Sequence, residues 1–477
     1  MINKYLASQI KSNFPFNPTP EQEISLEMIS DFILSYDDRK VFLLCGYAGT
    51  GKTSLVAALV KTMEQLSRKT VLLAPTGRAA KVFSSYSGKS AYTIHKWIYR
   101  QKSILDGSRF VLMENRSVNT LFIVDEASMI SNSGGSNFGS GALLDDLVEF
   151  VYSGTGCSLL LLGDPAQLPP VGESLSPALS PSYVESLFLK CHSIEMKQVM
   201  RQLDGSGILR NATMLRGMIC GGREGVLPLI KLKGFADVCV VRGDELIEAI
   251  EGCYNDAGTD DTIVLCRSNK RANVYNEGIR RRILYREDEL ARRDMLMVVK
   301  NNYYWREVLG REDKGLLEKL DFIANGDVAE VVRVWGVEEM YGFRYAEVTL
   351  SFLDYDNCEL DVKIMLNTLT SESPSLTREE NERLFTAVWD DYPEVRSKRK
   401  RMEQVRNNPY YNALQVKYAY AVTCHKAQGG QWPRVFVDQG YVTEDMMTPE
   451  YYRWLYTAFT RASERLYLVN WSDRFFE

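Results

Sequence analysis

Four apolar runs alternate with amphipathic stretches in the first part of the chain, at residues 41–45, 70–74, 120–124 and 158–162. Each run ends in a polar or glycine-rich turn. Strands that are apolar throughout are typical of parallel sheets covered by helices on both faces. The pattern predicts an α/β unit with a parallel core, and the apolar run at 262–266 belongs to a second core.

The pattern changes to a period of two beyond about residue 311. Apolar and polar side chains alternate at 345–350 and 359–364, and Asn325-Gly326 supplies turn chemistry, so we predict a small antiparallel β unit. A charged helical stretch follows at 376–407. It is open to three interpretations: a solvated arm, an arm that faces a nucleic acid, or a site for a partner.

The length of 477 residues predicts about three domains. We place the first at 1–190, the second at 191–310 together with 413–477, and an inserted third at 311–412. Within the first, residues 99–118 contain Asp106-Gly107, which indicates either a β-hairpin or a mobile loop.

Composition narrows the class of protein only a little. The net charge of −5 excludes a protein that is basic all over, but it leaves room for a local basic groove. The nine cysteines lack paired metal-site spacing, which favours reduced thiols in a cytosolic protein. No apolar run approaches the roughly 20 residues that span a bilayer. We therefore expect a cytoplasmic protein with no membrane partner.

The strongest chemical signal is GYAGTGKT at 46–53, between an apolar run and an amphipathic stretch. A strand, a glycine-rich turn and a helix in this order form the phosphate-binding P-loop, whose N–H groups close around phosphate oxygens. Lys52 is expected to reach the β- and γ-phosphates of ATP, and the Thr53 hydroxyl to ligate Mg²⁺. The residues expected to bind the nucleotide here are Gly46, Gly49, Thr50, Gly51, Lys52 and Thr53.

Polar residues elsewhere complete the predicted nucleotide site. The run at 120–124 is followed by Asp125, expected in the Mg²⁺ shell, and by Glu126, expected to polarise the attacking water. Gln167, after the fourth run, is placed to sense the γ-phosphate. The amide of Gln22 either reads adenine or only serves the start of a helix, and both interpretations stay open.

A second ligand is predicted at the carboxyl ends of the strands, where parallel sheets bind ligands. Thr76 and Arg78 follow the run at 70–74, and His95 lies a short way beyond. A lone histidine is more often structural, so that alternative stays open for His95. The segment 423–428 follows another apolar run and faces the same cleft.

Eight short motifs follow one another along residues 46–466. The motifs are GYAGTGKT, APTGRAA, TIHKW, DEASM, GDPAQLPPVG, VMRQ, TCHKAQGGQ and YTAFTRASERL. This ordered set resembles the superfamily 1 helicases, specifically the RecD/Dda-like 5′→3′ branch, to which the Pif-like group is related. The chain departs from the family at Gly430-Gln431-Trp432, so the roles of Gln431 and Trp432 are left open.

The resemblance implies an α/β fold of two RecA-like P-loop NTPase cores, with a hairpin inserted in the first and a small SH3-like β-barrel plus helical arm in the second. ATP would lie between the cores, with Arg201 and Arg461 as arginine fingers and Gly429 beside the nucleotide. The residues expected to contact single-stranded DNA are Thr76, Arg78, His95, Asn269, Thr423, His425 and Lys426.

The implied function is ATP-driven unwinding of DNA, with 5′→3′ movement along one strand and the hairpin as a wedge. Expected partners are single-stranded DNA, junctions of single- and double-stranded DNA, and proteins of DNA repair or recombination. We expect a monomer. Two alternatives stay open: a superfamily 1 helicase directed to RNA, and an ATPase that remodels nucleic-acid complexes without robust unwinding.

Overall fold

The computed structural model describes residues 2–101, 110–132, 139–199, 205–309, 322–355 and 357–477. Three structural units are present: two parallel sheets covered by helices and one closed β-barrel. This is the fold class that the sequence predicts, and it is confirmed. Among the helices that the structure describes, none is long and apolar enough to cross a membrane.

The first core is a six-stranded sheet in which all neighbouring strands are parallel. In spatial order its strands are Ala91–Thr93, Thr70–Ala74, Leu121–Val124, Ser158–Gly163, Lys40–Gly46 and Lys190–Met196. Its helices are Ile2–Ser12, Pro20–Leu34, Lys52–Gln65, Gly77–Ser87, Ile94–Ile98, Leu143–Ser153 and Pro181–Ser186. Val41 and Leu43 pack into one apolar cluster and Phe42 and Leu44 into another, so the sheet is buried on both faces.

The second core is a five-stranded parallel sheet. In spatial order its strands are Ala421–Thr423, Thr262–Cys266, Trp432–Asp438, Ala462–Val469 and Val238–Val241. Its helices are Gly207–Cys220, Leu246–Ala257, Asn269–Arg282 and Pro449–Phe459. Because the chain leaves this core after residue 282 and returns to it at 421, an inserted unit lies between two of its strands.

The inserted unit is a closed five-stranded barrel with helices attached to its side. Its strands are Met295–Val298, Val328–Met340, Phe343–Phe352, Cys358–Met365 and Leu414–Tyr418, and its helices are Tyr304–Leu309, Arg378–Asp390 and Lys398–Arg406. The charged stretch 376–407 is therefore largely two helices. They are anchored to the barrel because Leu384, Val388 and Val405 pack in one cluster with Phe343 and Tyr345.

The strand pairings move three of the expected borders between units. Lys190–Met196 pairs with Lys40–Gly46, so the first core extends past residue 190. Met295–Val298 and Leu414–Tyr418 pair with each other in the barrel, so the insertion is wider than 311–412. Sequence alone favoured the narrower range because apolar strands of a barrel and of a parallel core look alike.

The hairpin alternative at 99–118 is the one that the structure shows. Tyr99–Gln101 and Phe110–Leu112 pair in antiparallel fashion, while residues 102–109 between them lie outside the described residues. The ring of Phe110 lies 4.3 Å from that of Tyr303, which in turn stacks on Phe322 at 4.9 Å. The base of the hairpin thus contacts the inserted unit, at the connection between its first two barrel strands.

A buried charge cluster fastens the barrel to the second core. The carboxylate of Asp294, just before the first barrel strand, is inaccessible to solvent. It accepts two hydrogen bonds of 2.9 Å from Arg280 and one of 2.7 Å from Arg286. The Tyr420 hydroxyl donates to it at 3.0 Å. A carboxylate with this many donors holds the elements that supply them in one arrangement.

We expect Asp294→Ala to lower the free energy of unfolding by about 3–5 kcal/mol, because it leaves the buried Arg280 guanidinium without a counter-charge. Denaturant-induced unfolding measures this loss. Glu277→Ala is the matched control, since it removes a carboxylate 2.9 Å from the exposed Arg281 on the same helix and should cost about 0.5 kcal/mol or less. Equal losses in the two variants would contradict the assignment.

Candidate nucleotide and nucleic-acid sites

The P-loop has the shape of an anion cradle. It joins the end of strand Lys40–Gly46 to the start of helix Lys52–Gln65. Gly49 and Gly51 have φ angles of +77° and +85°, which residues with a side chain rarely adopt. Gly51 caps the helix without any side-chain hydrogen bond, so the first N–H groups of the helix are available to an anion.

The Gln22 side chain supports this loop. Its Nε2 donates to the carbonyl oxygen of Thr50 at 3.0 Å, and its Oε1 accepts from the backbone N–H of Thr19 at 3.0 Å. The second contact completes a capping box at the start of helix Pro20–Leu34. The helix-start interpretation therefore matches the structure. Because Gln22 also borders the nucleotide cleft, a contact to adenine stays a prediction.

A cleft of about 780 Å³ lies over the P-loop, and both cores line it. Residues predicted for the nucleotide site that line it are Gln22, Gly49, Gly51, Lys52, Thr53, Asp125, Glu126, Gln167 and Arg461. The Lys52 ammonium group donates to the carbonyl oxygens of Gly46 and Tyr47, the latter at 3.1 Å. Its charge is thus held over the loop, where phosphate oxygens are better acceptors than these carbonyls.

Two neighbouring carboxyl groups lie in this cleft. Asp125 accepts a hydrogen bond of 2.5 Å from the Tyr86 hydroxyl and one of 2.8 Å from the N–H of Glu126. Burial raises the pKa of Asp125, and burial raises the pKa of Glu126 to about 7 although Arg461 opposes the shift. Glu126 also has a φ of +52°, an uncommon conformation for a residue with a side chain. A proton acceptor with a pKa near neutrality suits water activation.

The donor set at Asp125 and Thr53 fits Mg²⁺ better than a transition metal. Both side chains offer oxygen, and Mg²⁺ in nucleotide sites takes one or two protein oxygens and fills its shell with phosphate and water. Among the described residues, no group of three or more His, Cys, Asp or Glu side chains could hold a metal by itself. The ion would therefore depend on the phosphates of the nucleotide.

Gln167 and Arg461 approach the cleft from opposite cores. The Oε1 atom of Gln167 is buried and has no hydrogen-bond partner among the described residues, so it can accept a bond from a ligand or water. Arg461 is 3% exposed and donates to the carbonyl oxygens of Gly430 at 3.0 Å and Thr457 at 3.2 Å. Arg201, the other predicted arginine finger, lies outside the described residues.

A buried joint connects the two cores directly behind this cleft. The Tyr456 hydroxyl donates to Asp164 at 2.6 Å and accepts from the P-loop N–H of Ala48 at 2.8 Å. At the next residue of the same helix, the Thr457 hydroxyl accepts a hydrogen bond of 2.8 Å from the N–H of Leu168 in the first core. We call these contacts the Tyr456 joint; they connect the helix Pro449–Phe459 to two nucleotide-binding loops of the first core.

Three residues of this site, Asp164, Tyr456 and Tyr86, were not predicted from the sequence. Asp164 and Tyr456 stand inside quoted motifs, GDPAQLPPVG and YTAFTRASERL, but their pairing across the two cores could not be seen from spacing. Tyr86 lies on helix Gly77–Ser87 and carried no signal, because an isolated tyrosine on an amphipathic helix is ordinary. Its role emerges only from its hydrogen bond to Asp125.

Some of the residues predicted to contact single-stranded DNA lie where the two cores touch. Gly429, with a φ of +76°, packs so closely that an added Cβ would lie 2.9 Å from the Cβ of Ala79 and 3.5 Å from the Thr76 hydroxyl. Gly429 does not line the nucleotide cleft, whereas Gln431 does. The guanidinium of Arg78 lies 4.0 Å over the ring of Trp432, a cation–π contact between the cores.

Three further predicted residues, Asn269, Thr423 and Lys426, line one small cavity in the second core. The Lys426 ammonium group is buried and has no hydrogen-bond partner among the described residues. Burial lowers its pKa to about 8, and the charge of nearby Lys417 acts in the same direction. The side-chain amide of Asn269 donates to the carbonyl oxygen of Glu372 at 3.2 Å.

The two candidate histidines lie in different surroundings. Burial lowers the pKa of His95 to about 4, and this side chain borders a separate cavity beside the hairpin rather than the Thr76 region. Burial lowers the pKa of His425 as well, with an opposing effect from Glu450. Both imidazoles are therefore neutral at pH 7 and can stack or exchange hydrogen bonds, but carry no positive charge.

Comparison with known families gives matches in both cores. A model described as an AAA domain matches residues 27–218, and one described as a UvrD-like helicase C-terminal domain matches residues 418–469. An uncharacterised protein of Acanthamoeba polyphaga mimivirus is 23% identical over 94% of this chain and 98% of its own length.

Two of the relatives are named as DNA helicases. The ATP-dependent DNA helicase Dda of Enterobacteria phage T4 is 22% identical over 82% of this chain and 86% of its own. The ATP-dependent RecD2 DNA helicase of Deinococcus radiodurans is 32% identical, over 36% of this chain and 21% of its own. Among solved structures, Pif1 helicase from Candida albicans covers 96% of this chain and is covered over 95% of its own, with 16% identity and a TM-score of 0.44.

The fold and the cleft define a P-loop nucleoside triphosphatase with its nucleotide site between two RecA-like cores. Within this class, the chain is similar to the superfamily 1 helicases of the RecD/Dda type, a placement that rests on the domain matches in both cores and on the two relatives named as DNA helicases. The ordered motifs, the paired cores and the inserted barrel agree with that placement.

We expect Tyr456→Phe to reduce strand-stimulated ATP turnover by about tenfold or more, because a hydrogen bond to a buried carboxylate contributes about 1.5–3 kcal/mol. Steady-state ATPase assays with and without single-stranded DNA measure this. Tyr452→Phe is the matched control, since among the described residues its hydroxyl hydrogen-bonds to Val226, within the second core. Similar turnover in the two variants would show that the Tyr456 joint plays no special part.

We also expect kcat/KM for ATP to rise roughly tenfold between about pH 6 and pH 8. Glu126 must be ionised to accept a proton, and its pKa of about 7 means that it is increasingly protonated below that pH. Glu126→Gln should abolish the rise together with most of the turnover. A flat profile in the parent protein, with the fold intact at each pH, would contradict a base role for Glu126.

Proposed function

We propose that this chain is an ATP-dependent DNA helicase that moves 5′→3′ along single-stranded DNA and separates duplex DNA ahead of it. The observation that carries the proposal is the segment 428–432. Gln428 donates to the carbonyl oxygen of Leu168 in the first core at 2.7 Å, Gly429 abuts Thr76, and Gln431 lines the nucleotide cleft. A change at the nucleotide is thereby passed to the strand contacts within five residues.

The proposed chemistry uses the cleft as it stands. Lys52 binds the β- and γ-phosphates, Thr53 and Asp125 hold Mg²⁺, and Glu126 accepts the proton of the attacking water. When bound, Mg²⁺ neutralises charge on the phosphates. Gln167 orients the water or the γ-phosphate, and Arg461 stabilises the transferring phosphoryl group after turning away from the carbonyl of Gly430.

The proposed strand path lies where the two cores meet. The residues proposed to contact single-stranded DNA are Thr76, Arg78, Asn269, Thr423, His425 and Lys426. Closure of the cores around ATP changes the spacing between the two sets of contacts, and hydrolysis relaxes it, so each cycle shifts one set along the strand. The hairpin Tyr99–Gln101 and Phe110–Leu112 is the proposed wedge.

Support for DNA as the substrate comes from the relatives named as DNA helicases, one of which aligns over most of both chains. Support for the direction comes from the RecD/Dda-like motif set. Junctions of single- and double-stranded DNA are the proposed substrates, and proteins of DNA repair or recombination are proposed partners of a monomer.

The deciding experiment is ATP-dependent strand displacement on two DNA duplexes that differ only in the polarity of a single-stranded tail. We expect opening of the 5′-tailed duplex alone, and none with Lys52→Ala, because the P-loop ammonium group is lost. Opening of only the 3′-tailed duplex would overturn the direction. Opening of neither, with ATPase still stimulated by the strand, would identify a remodelling ATPase; a preference for RNA tails of the same sequence would identify an RNA helicase.

A further inference from the structure

A second cavity, of about 880 Å³, lies beside the hairpin and is separate from the nucleotide cleft. We call it the lateral groove. At the hairpin it is lined by Arg100 and Phe110, and elsewhere by Lys69, Arg116 and Thr120. Lys69 and Thr120 directly precede two β-strands of the first sheet. The residues assigned to the nucleotide and to single-stranded DNA instead follow the β-strands, at their carboxyl ends. The lateral groove therefore extends from the hairpin base to the amino-terminal ends of the β-strands, on the opposite side of the sheet from the nucleotide site.

The lateral groove is basic in a chain that is acidic overall. It is lined by five lysine and arginine side chains and one carboxylate, namely Lys69, Lys89, Lys96, Arg100, Arg116 and Glu114. The exposed Lys69 and Arg100 form no ion pair among the described residues. Arg116 has only Glu114, 3.5 Å away, with both side chains mostly exposed. Since such pairs contribute little, these charges are available to an anionic ligand.

Aromatic rings accompany the charges. Trp97, Tyr303 and Phe322 line the lateral groove together with the neutral imidazole of His95. Phosphates explain the charge but not the rings. Flat rings stack on bases that are free of their neighbours, as in a single strand, whereas bases in a duplex are already stacked on each other. The combination favours a single-stranded nucleic acid over a duplex.

We propose that the lateral groove binds the strand that the hairpin displaces from the duplex. The proposal rests on the proposed helicase function, in which the tracked strand runs past Thr76 and Gly429 on the other edge of the sheet. The hairpin base, at Arg100 and Phe110, lines the lateral groove. A strand held in the lateral groove is kept away from the tracked strand, which opposes reannealing behind the wedge.

The test compares binding to two DNA substrates with the same duplex and the same 5′ tail. One of them, the fork, also carries a non-complementary 3′ tail on the other strand. The groove variant combines Lys69→Gln, Arg100→Gln and Arg116→Gln. The control variant combines Lys61→Gln, Arg223→Gln and Lys233→Gln, which are exposed positions outside the groove that give the same change in net charge.

We expect the parent protein to bind the fork more tightly than the tailed duplex. In the groove variant, the ratio of the two affinities should fall by about tenfold. Loss of three phosphate contacts on a single strand should also reduce the slope of log K against log salt by about 2 for the fork. Affinity for the tailed duplex and ATPase stimulated by single strands should stay at parent values in both variants.

Base stacking has its own test. A fork whose 3′ tail is abasic keeps its phosphates but offers no bases to the rings. The parent protein should bind this fork about tenfold more weakly than the normal fork, given the usual contribution of a stacked base. In Trp97→Leu the difference should shrink. An unchanged difference in Trp97→Leu, or none in the parent, would overturn the stacking part of the proposal.

Each remaining outcome has a defined meaning. No preference for the fork in the parent protein, or an equal preference in the groove variant, overturns the proposal. Equal loss in the control variant shows a general charge effect and also overturns it. Weakened binding to both substrates shows that the groove holds the duplex or the tracked strand instead. Because binding needs no hydrolysis, a failure to unwind DNA counts against the proposed function and not against the groove.

Discussion

The hydroxyl group of Tyr456 is the contact on which the arrangement of the two cores depends. It bonds simultaneously to the Asp164 carboxylate and to the P-loop N–H of Ala48, and the Tyr456 and Asp164 side chains are both buried. Burial raises the pKa of Asp164, so this carboxylate is costly to leave without a donor. Separating the cores would leave it without its hydroxyl donor, which favours an arrangement in which the nucleotide loops stay in contact with the second core.

The coupling of nucleotide and nucleic-acid strand in the proposed function would use this arrangement. With the cores held together by the Tyr456 joint, the segment 428–432 is confined between Leu168, the helix that begins at Gly77, and the nucleotide cleft. A segment packed this tightly passes on small displacements because it has no free volume in which to absorb them. If ATP binds one spacing of the two cores more tightly than the other, the affinity for the nucleic-acid strand would then change with it, and the reverse would also hold.

The departure from the family at Gly430-Gln431-Trp432 has a physical explanation in this packing. The Trp432 ring lies under the Arg78 guanidinium from the other core, and an added Cβ at Gly430 would lie 2.6 Å from Arg78 Nε. Glycine at 430 therefore admits the arginine, and tryptophan at 432 holds it. Gln431, between them, faces the nucleotide cleft. Gly430 and Trp432 together thus allow a contact between the two cores.

The sequence by itself determined what is local: the apolar strands, the P-loop between Gly46 and Thr53, and the period-two strands of the barrel. These depend on the spacing of residues that are neighbours in the chain. Only the tertiary structure decided which strands share a sheet, that Tyr456 meets Asp164, that Gly429 lies at Thr76, and that His95 faces a separate groove. Such contacts join residues up to hundreds of positions apart, and no local pattern encodes them because they depend on how whole units pack.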